Sequence, residues 1–278
     1  AVKLVDAAYA NTGKNGYRHY MAKEMAEQPE VAARAAIAGH NISTRSLSCP
    51  HTSAWKDCDR VSIVGCGTAH YAGLVAKTWF ERFARIPVEV TVASEYRYGS
   101  PVMTPKGVTI FVSQSGETAD TLAAMRYAKS EGQTTIALVN VETSTMAREA
   151  DIVAPIHAGP EIGVASTKAF TAQLIALASV AISAAFSRRH LTRERAMDLR
   201  AALSALSGDF LEALARESSI APVAAELAEA PDVIFLGRGA MYPLALEAAL
   251  KLKELTYVPA QGYAIGELKH GPIALVEP

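Results

Sequence analysis

At FVSQSGETADT (residues 111–121), a run of apolar residues gives way to hydroxyl and amide side chains around one glycine. The apolar run begins at residue 108 and predicts a buried strand, and a helical pattern follows the glycine at once. So many hydroxyl and amide groups around one glycine are unusual at the end of a buried strand. The stretch therefore predicts a strand–turn–helix unit whose turn has a role beyond connecting the two elements.

Strand and helix patterns alternate on both sides of this unit. Further apolar runs predict strands at residues 60–65, 88–92, 134–140 and 151–156. These runs are apolar throughout, as expected for a parallel sheet with helices on both faces. The predicted fold class is therefore α/β, with a doubly wound, parallel, five-stranded sheet. Upstream of the sheet, residues 17–39 predict a helix that is interrupted near Pro29 and ends at Gly39.

A strand–G-x-G–helix pattern occurs twice, and the two copies are 172 residues apart. Gly65 and Gly67 of the first copy correspond to Gly237 and Gly239 of the second. Internal repetition of this kind predicts two copies of one structural unit. The predicted division is a first domain over residues 16–186, a helical connector over 187–230, and the N-terminal part of a second domain over 231–278.

The composition limits the partners that this chain can be expected to have. The net charge is −1, so nucleic acid and membranes are not expected partners, and an anion site must be built locally. The three cysteines lack metal-ligand spacing, and their odd number is typical of a reducing cytoplasm. We therefore expect no metal site and a cytoplasmic location. The apolar residues 169–186 just reach the length of a membrane span, but alanine and polar residues favour a helix buried in the core.

The turn at residues 113–118 has the features of a phosphate site. A helix N-terminus carries free N–H groups and a partial positive charge. Ser113, Ser115 and Thr118 add hydroxyl groups, Gln114 adds an amide, and Gly116 permits a tight turn. One hydroxyl would suffice to cap the helix. The excess predicts that an anion binds at the start of a helix over residues 118–131.

Several motifs together resemble one known family. They occur in the order SQSGETADTL, EIGVASTKAFTAQL, LGRG, LEAALKLKEL and GELKHGP. The first resembles the phosphosugar-binding motif of sugar isomerase (SIS) domains. Together they resemble the isomerase half of the glutamine–fructose-6-phosphate aminotransferase family, also called glucosamine-6-phosphate synthases. The resemblance covers about residue 16 to the end of the chain.

The resemblance implies a fold, a reaction and partners. It implies one SIS domain followed by a second, incomplete SIS-like unit, and a homodimer. The family converts fructose 6-phosphate and glutamine into glucosamine 6-phosphate and glutamate, so the expected partner is a small sugar phosphate. No cofactor is expected. A glutaminase domain is the expected partner region in the full-length enzyme.

The resemblance also assigns roles to matched positions. The implied sugar-phosphate ligands are Thr68, Ser113, Gln114, Ser115, Thr118, Val164, Ala165 and Ser166. The implied catalytic residues are Glu254 as the base, Lys251 assisting it, and His270. The histidine would act in opening the sugar ring, at the site of the neighbouring subunit.

The residues themselves support part of this assignment. Glu247, Lys251 and Glu254 recur at i, i+4 and i+7 along one face of a mainly apolar helix. Charges on such a helix are costly unless they are paired or used. A carboxylate shielded from water suits proton transfer between neighbouring carbons, because burial raises its pKa. We therefore expect Glu254 to be a shielded base; the alternative is a Glu247–Lys251 ion pair with Glu254 in solvent.

The sequence departs from the family pattern in four respects. Ala69 stands where many members have serine, and Gln261 stands where many have glutamate. The glutaminase half with its cysteine nucleophile, and the C-terminal lysine that forms a Schiff base, have no counterpart in these 278 residues. The chain is therefore expected to be part of the enzyme. A stand-alone phosphosugar isomerase and a non-catalytic sugar-phosphate-binding SIS protein remain alternatives.

Overall fold

A computed structural model describes residues 12–45 and 52–276. The helices are α1 (Tyr20–Ala26), α2 (Gln28–Arg45), α3 (Thr52–Lys56), α4 (Thr68–Trp79), α5 (Ala93–Tyr96), α6 (Ala119–Ser130), α7 (Thr145–Glu149), α8 (Lys168–Ser187), α9 (Arg193–Leu214), α10 (Glu217–Leu227) and α11 (Met241–Thr256). The strands are β1 (Val61–Gly65), β2 (Val88–Val92), β3 (Val108–Ser113), β4 (Thr134–Val139), β5 (Ile152–Pro155), β6 (Val233–Gly237) and β7 (Ala260–Ala264). A π-helical turn (Phe80–Ala84) extends α4, and two 3₁₀ turns, Ile265–Lys269 and Pro272–Leu275, follow β7.

The first five strands form one parallel sheet in the order β2-β1-β3-β4-β5. The predicted fold class is therefore confirmed. The chain leaves β1 toward one edge of the sheet and returns to place β3 on its other side, with Gly65 opposite Val112. The carboxyl ends of β1 and β3 thus lie side by side. In doubly wound sheets, such a reversal of strand order opens a crevice in which ligands bind.

Helix α8 is the central helix of the core beside this sheet. It packs against α2, α4 and α9, and most of its side chains are buried. Among the described helices, α8 alone is long and apolar enough to cross a membrane by length and composition. Its alanines allow neighbouring helices to approach closely on several sides. The expectation of a buried core helix at residues 169–186 is confirmed.

The second unit repeats the start of the first. Strand β6 is β1 displaced by 172 residues, and it pairs in parallel with β7 in a separate two-stranded sheet. Gly67 and Gly239 both adopt left-handed conformations, with φ of +53° and +57°. A Cβ atom added at Gly237 would lie 2.2 Å from the carbonyl oxygen of Met241. The repeated glycines therefore let each helix begin close against the end of its strand.

The N-terminal helices show the expected interruption near Pro29 but not the expected end at Gly39. Helix α1 ends at Ala26 and α2 begins at Gln28, so the break precedes Pro29, which occupies the first turn of α2. Proline is tolerated there because the first-turn N–H groups have no helical partner. The prediction that Gly39 ends the helix is wrong, since α2 continues to Arg45. Gly39 instead packs against α8, where an added Cβ would lie 2.1 Å from Ser179 Oγ.

We expect Gly73→Ala in α4 to destabilise the protein. An added Cβ at Gly73 would lie 2.9 Å from Ile63 Cγ2 and 3.1 Å from Val90 Cγ1 on the sheet. Overpacking of this kind lowers the free energy of unfolding by about 1–3 kcal/mol. The measurement is urea-induced unfolding.

The matched control is Gly208→Ala in the interior of α9, where nothing lies within 4 Å of the added Cβ. This change should raise the free energy of unfolding by about 0.5–1 kcal/mol through helix propensity alone. Equal effects of the two substitutions would contradict the close packing of α4 on the sheet.

Candidate functional site

A cavity of about 260 Å³ lies at the carboxyl ends of β1 and β3. Its wall is formed by the residues after β1, the turn after β3 with the start of α6, the loop before α8 with the first turns of α8, and α11 of the second unit. The lining residues are Cys66, Thr68, Ala69, Val112, Ser113, Gln114, Ser115, Thr118, Thr121, Val164, Ser166, Gln173, Lys251 and Glu254. The cavity therefore occupies the crevice at which the strand order reverses.

The turn after β3 forms a compact polar cradle. The hydroxyl oxygens of Ser113 and Thr118 are 3.1 Å apart. The backbone N–H of Gly116 donates to Ser113 Oγ at 3.0 Å, and the N–H of Glu117 donates to Ser115 Oγ at 3.2 Å. Thr118 is the N-cap residue of α6, and its side chain does not cap the helix. The first-turn N–H groups of α6 thus have no side-chain cap from this residue, as a phosphate site requires.

Gly116 fixes this turn against the start of α7. Its φ is +66°, and an added Cβ would lie 2.2 Å from Ser144 Oγ. The N–H of Met146 donates to the Gly116 carbonyl oxygen at 3.1 Å, and the N–H of Thr145 donates to Glu117 Oε1 at 2.7 Å. Two hydrogen bonds and close packing therefore hold the turn in one conformation, and only glycine fits at its centre.

Glu161 organises the loop that carries Ser166. Its Oε2 accepts the Ser166 hydroxyl at 3.0 Å, and its Oε1 accepts the N–H groups of Thr167 at 2.9 Å and of Ala169 at 3.1 Å. A carboxylate at a helix N-terminus also interacts favourably with the helix dipole. Glu161 therefore both starts α8 and orients Ser166 at the cavity wall.

A second carboxylate, that of Glu24 in α1, accepts backbone hydrogen bonds from the same loop. Glu24 is 2% exposed, and its Oε1 accepts the N–H groups of Ile162 at 2.6 Å and of Gly163 at 3.0 Å. This arrangement leaves Val164 89% exposed at the mouth of the cavity and buries Ala165. Sequence reasoning missed Glu24 because its partners lie more than 130 positions away, and no local pattern indicates such a contact.

A polar cluster joins α4 of the first unit to α11 of the second. The ammonium nitrogen of Lys251 lies 3.0 Å from Thr68 Oγ1, 2.7 Å from Glu254 Oε2 and 3.4 Å from Glu247 Oε1. The Thr68 hydroxyl donates to Glu247 Oε1 at 3.0 Å. Thr68, Lys251 and Glu254 line the cavity, whereas Glu247 lies behind them.

Of the two carboxylates in this cluster, Glu247 is more buried than Glu254, which is the reverse of the expectation. Glu247 is 5% exposed, and burial raises its pKa to about 7 although Lys251 opposes the rise. The side chain of Glu254 is 36% exposed, lines the cavity and pairs with Lys251. The prediction that Glu254 is shielded from water is therefore wrong. Glu254 is more than a third exposed, and the carboxyl group that is shielded from water is that of Glu247. Helical spacing could not distinguish them, because it does not show how far along α11 the contact with α4 extends.

Two residues assigned by the family resemblance do not line the cavity. Ala165 is buried behind the cavity wall. His270 is exposed at the end of the 3₁₀ turn Ile265–Lys269. The other nine assigned residues, from Thr68 to Glu254, are brought together in one place.

Thr121 and Gln173 also line the cavity, and sequence reasoning missed both. Thr121 could have been found, because it lies one helical turn after Thr118 and faces the same side. Gln173 is a buried amide in the second turn of apolar α8, and its Oε1 has no hydrogen-bond partner among the described residues. A polar residue inside an apolar helix was the available signal. Within residues 12–45 and 52–276, no group of His, Cys, Asp and Glu side chains is arranged to hold a metal ion.

Comparison with known proteins gives consistent matches along the chain. The SIS domain family matches residues 56–183 and 226–278. The chain is 54% identical over 266 residues to a glutamine–fructose-6-phosphate aminotransferase (isomerizing) of Bradyrhizobium diazoefficiens, covering 95% of this chain and 44% of that protein. It is 51% identical over 277 residues to the protein of the same name from Zymomonas mobilis, covering 99% of this chain and 46% of the relative. The chain thus spans less than half the length of these relatives.

A solved structure matches the whole arrangement of helices and strands. The C-terminal domain of glucosamine-fructose-6-phosphate aminotransferase from Francisella tularensis superposes with a TM-score of 0.92 at 40% sequence identity. The match covers 96% of this chain and 75% of that structure. The similarity therefore includes both the five-stranded unit and the start of the second unit.

We expect Glu161→Ala to loosen the loop before α8. The change removes the acceptor of three hydrogen bonds, which should lower the local stability by about 1–3 kcal/mol. Amide hydrogen exchange at residues 162–169 should accelerate by roughly 10–100-fold, while residues 113–118 keep their protection. Hydrogen–deuterium exchange with mass spectrometry measures both segments in one experiment.

The control is Glu149→Ala, which removes a half-buried carboxylate that pairs with Arg126. This variant should leave the loop before α8 unchanged. Unaltered exchange at residues 162–169 in Glu161→Ala would show that Glu161 does not hold the loop.

Proposed function

Because the chain belongs to the SIS domain family, we propose that it is the sugar-phosphate isomerase portion of a glutamine–fructose-6-phosphate aminotransferase. Such an enzyme converts fructose 6-phosphate and glutamine into glucosamine 6-phosphate and glutamate. The observation that supports this proposal most is one cavity lined both by a phosphate-type turn and by an ion pair suited to proton transfer. In this proposal a sugar phosphate would bind with its phosphate at the turn and its carbon chain toward α11.

In the proposal, the phosphate is held by Ser113, Gln114, Ser115 and Thr118 together with the N-terminus of α6. Backbone N–H groups and hydroxyl groups bind phosphate without requiring a basic side chain. The rigid packing of Gly116 supports this role, because a turn that is already in place loses little entropy when it binds a ligand. Thr68, Val164 and Ser166, with Ala165 behind them, complete the proposed sugar pocket.

The proposed chemistry belongs to Glu254. As a base, its carboxylate takes a proton from one carbon of the open-chain sugar and returns it to the neighbouring carbon. The negative charge that develops on the sugar oxygens needs a nearby cation, and the Lys251 ammonium lies 2.7 Å from the carboxylate. Lys251 therefore assists by electrostatic stabilisation and by orienting the base.

The wider assembly is part of the same proposal. A glutaminase domain supplies ammonia in the full-length enzyme, and two copies of the isomerase portion form a homodimer. The homodimer is supported by the position of His270, which is exposed and outside the cavity of its own chain. A ring-opening role for His270 would then be exercised at the neighbouring subunit's site. A cytoplasmic location is supported by the free thiols of Cys58 and Cys66.

We expect Ser115→Ala to weaken the binding of fructose 6-phosphate. A hydrogen bond to a charged group is worth about 1.5–3 kcal/mol, so the dissociation constant should rise by roughly 10–100-fold. The matched control is Ser130→Ala at the other end of α6, where the hydroxyl donates to the Tyr127 carbonyl oxygen. Isothermal titration calorimetry gives both constants. Equal affinities of the two variants would place the phosphate away from the turn.

We expect Glu254→Gln in the full-length enzyme to abolish isomerisation and to leave binding nearly intact. Loss of a general base costs about 10²–10⁴-fold in rate, whereas the phosphate site lies on a different element. The measurement compares exchange of the transferred proton with solvent and the sugar-phosphate dissociation constant.

The control is Glu226→Gln at an exposed position of α10. This variant should exchange the transferred proton at the wild-type rate. If Glu254→Gln exchanges the transferred proton at the wild-type rate, Glu254 is not the base. Retained binding in a wild-type enzyme without any proton exchange would instead favour a non-catalytic sugar-phosphate-binding protein.

A further inference from the structure

Glu247 is the one member of the α4–α11 polar cluster that the proposed chemistry does not use. Its Oε1 accepts the Thr68 hydroxyl at 3.0 Å and lies 3.4 Å from the Lys251 ammonium nitrogen. Its Oε2 is buried and has no hydrogen-bond partner among the described residues. Glu247 does not line the cavity, so any effect on a ligand must pass through Thr68 or Lys251.

Such a half-satisfied carboxylate is an unusual group to bury. Removing a charged oxygen from water without a hydrogen-bond partner is costly. The same burial raises the pKa of Glu247 to about 7. The contacts with Lys251 and Thr68 therefore stabilise the charged form of Glu247. If Glu247 becomes neutral, its contact with the Lys251 ammonium weakens.

The contacts of Lys251 show what the charge of Glu247 does. A lysine ammonium has three N–H donors. Three oxygen atoms surround the Lys251 nitrogen, one each from Thr68, Glu254 and Glu247, at 3.0, 2.7 and 3.4 Å. The flexible side chain of lysine has many alternative rotamers, and fixing one of them costs conformational entropy. The negative charge of buried Glu247 attracts the ammonium from outside the cavity. This attraction offsets the entropy that Lys251 loses when its side chain is fixed in one rotamer.

We propose that Glu247 is a positioning residue that fixes the Lys251 ammonium at the cavity wall, and that neutralising Glu247 frees this ammonium. With Glu247 charged, Lys251 is held between Thr68 and Glu254. With Glu247 neutral, one of the three contacts loses its charge, and Lys251 can leave Thr68. The placement of Lys251 stands on the geometry, whereas its consequence for catalysis rests on the proposed function.

The polar and titratable side chains that face Glu247 lie on α11 and α4. From α11 they are Lys251 and Glu254, and from α4 they are Thr68 and Tyr71, whose pKa is raised by burial and by the charge of Glu247. Strand β6 carries no titratable side chain. The tyrosine of β7, Tyr263, donates its hydroxyl to Gln261.

The sign of the pH effect follows from the carboxyl group. The folded protein holds a proton on Glu247 more tightly than the unfolded chain does, so Glu247 becomes neutral as the pH falls through about 7. Lys251 is therefore held above this pH and freed below it.

The test is trace labelling of the 278-residue chain with acetic anhydride between pH 6 and 8.5. Mass spectrometry gives the labelling of Lys251 relative to that of Lys253, an exposed lysine two positions away on the same helix. The ratio cancels the general effect of pH on lysine reactivity. In the wild type it should rise by roughly tenfold as the pH falls through about 7, because losing a contact between charged groups makes the held position of the ammonium less populated by about that factor.

Two variants complete the test. Glu247→Gln keeps the shape and the hydrogen bond with Thr68 but has no charge, so its ratio should already be high at pH 8.5 and should not change with pH. Glu247→Asp keeps the charge and should keep the pH dependence. A pH-independent ratio in the wild type, or a low ratio in Glu247→Gln at pH 8.5, would overturn the proposal. The wild-type measurement needs no variant to fold.

The catalytic consequence is measured separately in the full-length enzyme. Glu247→Gln should slow the exchange of the transferred proton by about tenfold or more and leave the dissociation constant of fructose 6-phosphate unchanged. The acid limb of the rate profile near pH 7 should disappear in this variant. Labelling does not depend on sugar binding, so absence of fructose 6-phosphate binding by the wild type would reject the proposed function without altering the result for Lys251.

Discussion

The parallel pairing of β1 with β3 determines where the cavity of this protein lies. Because β2 was placed on the far side of β1, the chain had to cross over before adding β3, and the two carboxyl ends came to lie side by side. Gly65 and Ser113 end these strands, and both following segments open onto the same crevice. The backbone groups at these ends are those that a strand-to-helix transition leaves unpaired. A binding cavity at this edge is therefore a consequence of the topology, and the side chains determine its chemistry.

The second constraint is the contact between α4 and α11. These helices are the repeated elements of the two units, and each begins within two residues of a G-x-G turn. Their packing places Thr68 of one unit within hydrogen-bond distance of Glu247 and Lys251 of the other. A buried, connected polar cluster between two helices favours a single register, because any displacement would leave buried charges without partners. The cluster therefore specifies how the second unit completes the cavity of the first.

The sequence predicted the sheet, the phosphate-type turn and the repeat because each has a local signature. Uniformly apolar strands, hydroxyl-rich turns and glycines at fixed spacing can all be recognised within about ten residues. The roles of Glu24 and Glu161 could not be predicted, since a carboxylate that accepts backbone N–H groups of a loop has no sequence pattern. Gly39 was misread for a related reason. A glycine in a helical pattern can end the helix or allow another helix to approach, and only the position of Ser179 shows which applies.

In the proposed function, binding and chemistry lie on different elements, and this separation accounts for the burial of Glu247. The phosphate-type turn is held by hydrogen bonds of its own backbone groups, by the Glu117 carboxylate at the start of α7, and by the fit of Gly116 against Ser144, so its geometry does not depend on Lys251 or Glu254. The ion pair of Lys251 and Glu254 has no such backbone support, because both side chains extend from one helix into an open cavity. Long charged side chains at a partly exposed position occupy several rotamers, so they keep one ion-pair geometry only when a further contact restrains them. Under our proposal, the buried carboxylate of Glu247 supplies that restraint from outside the cavity.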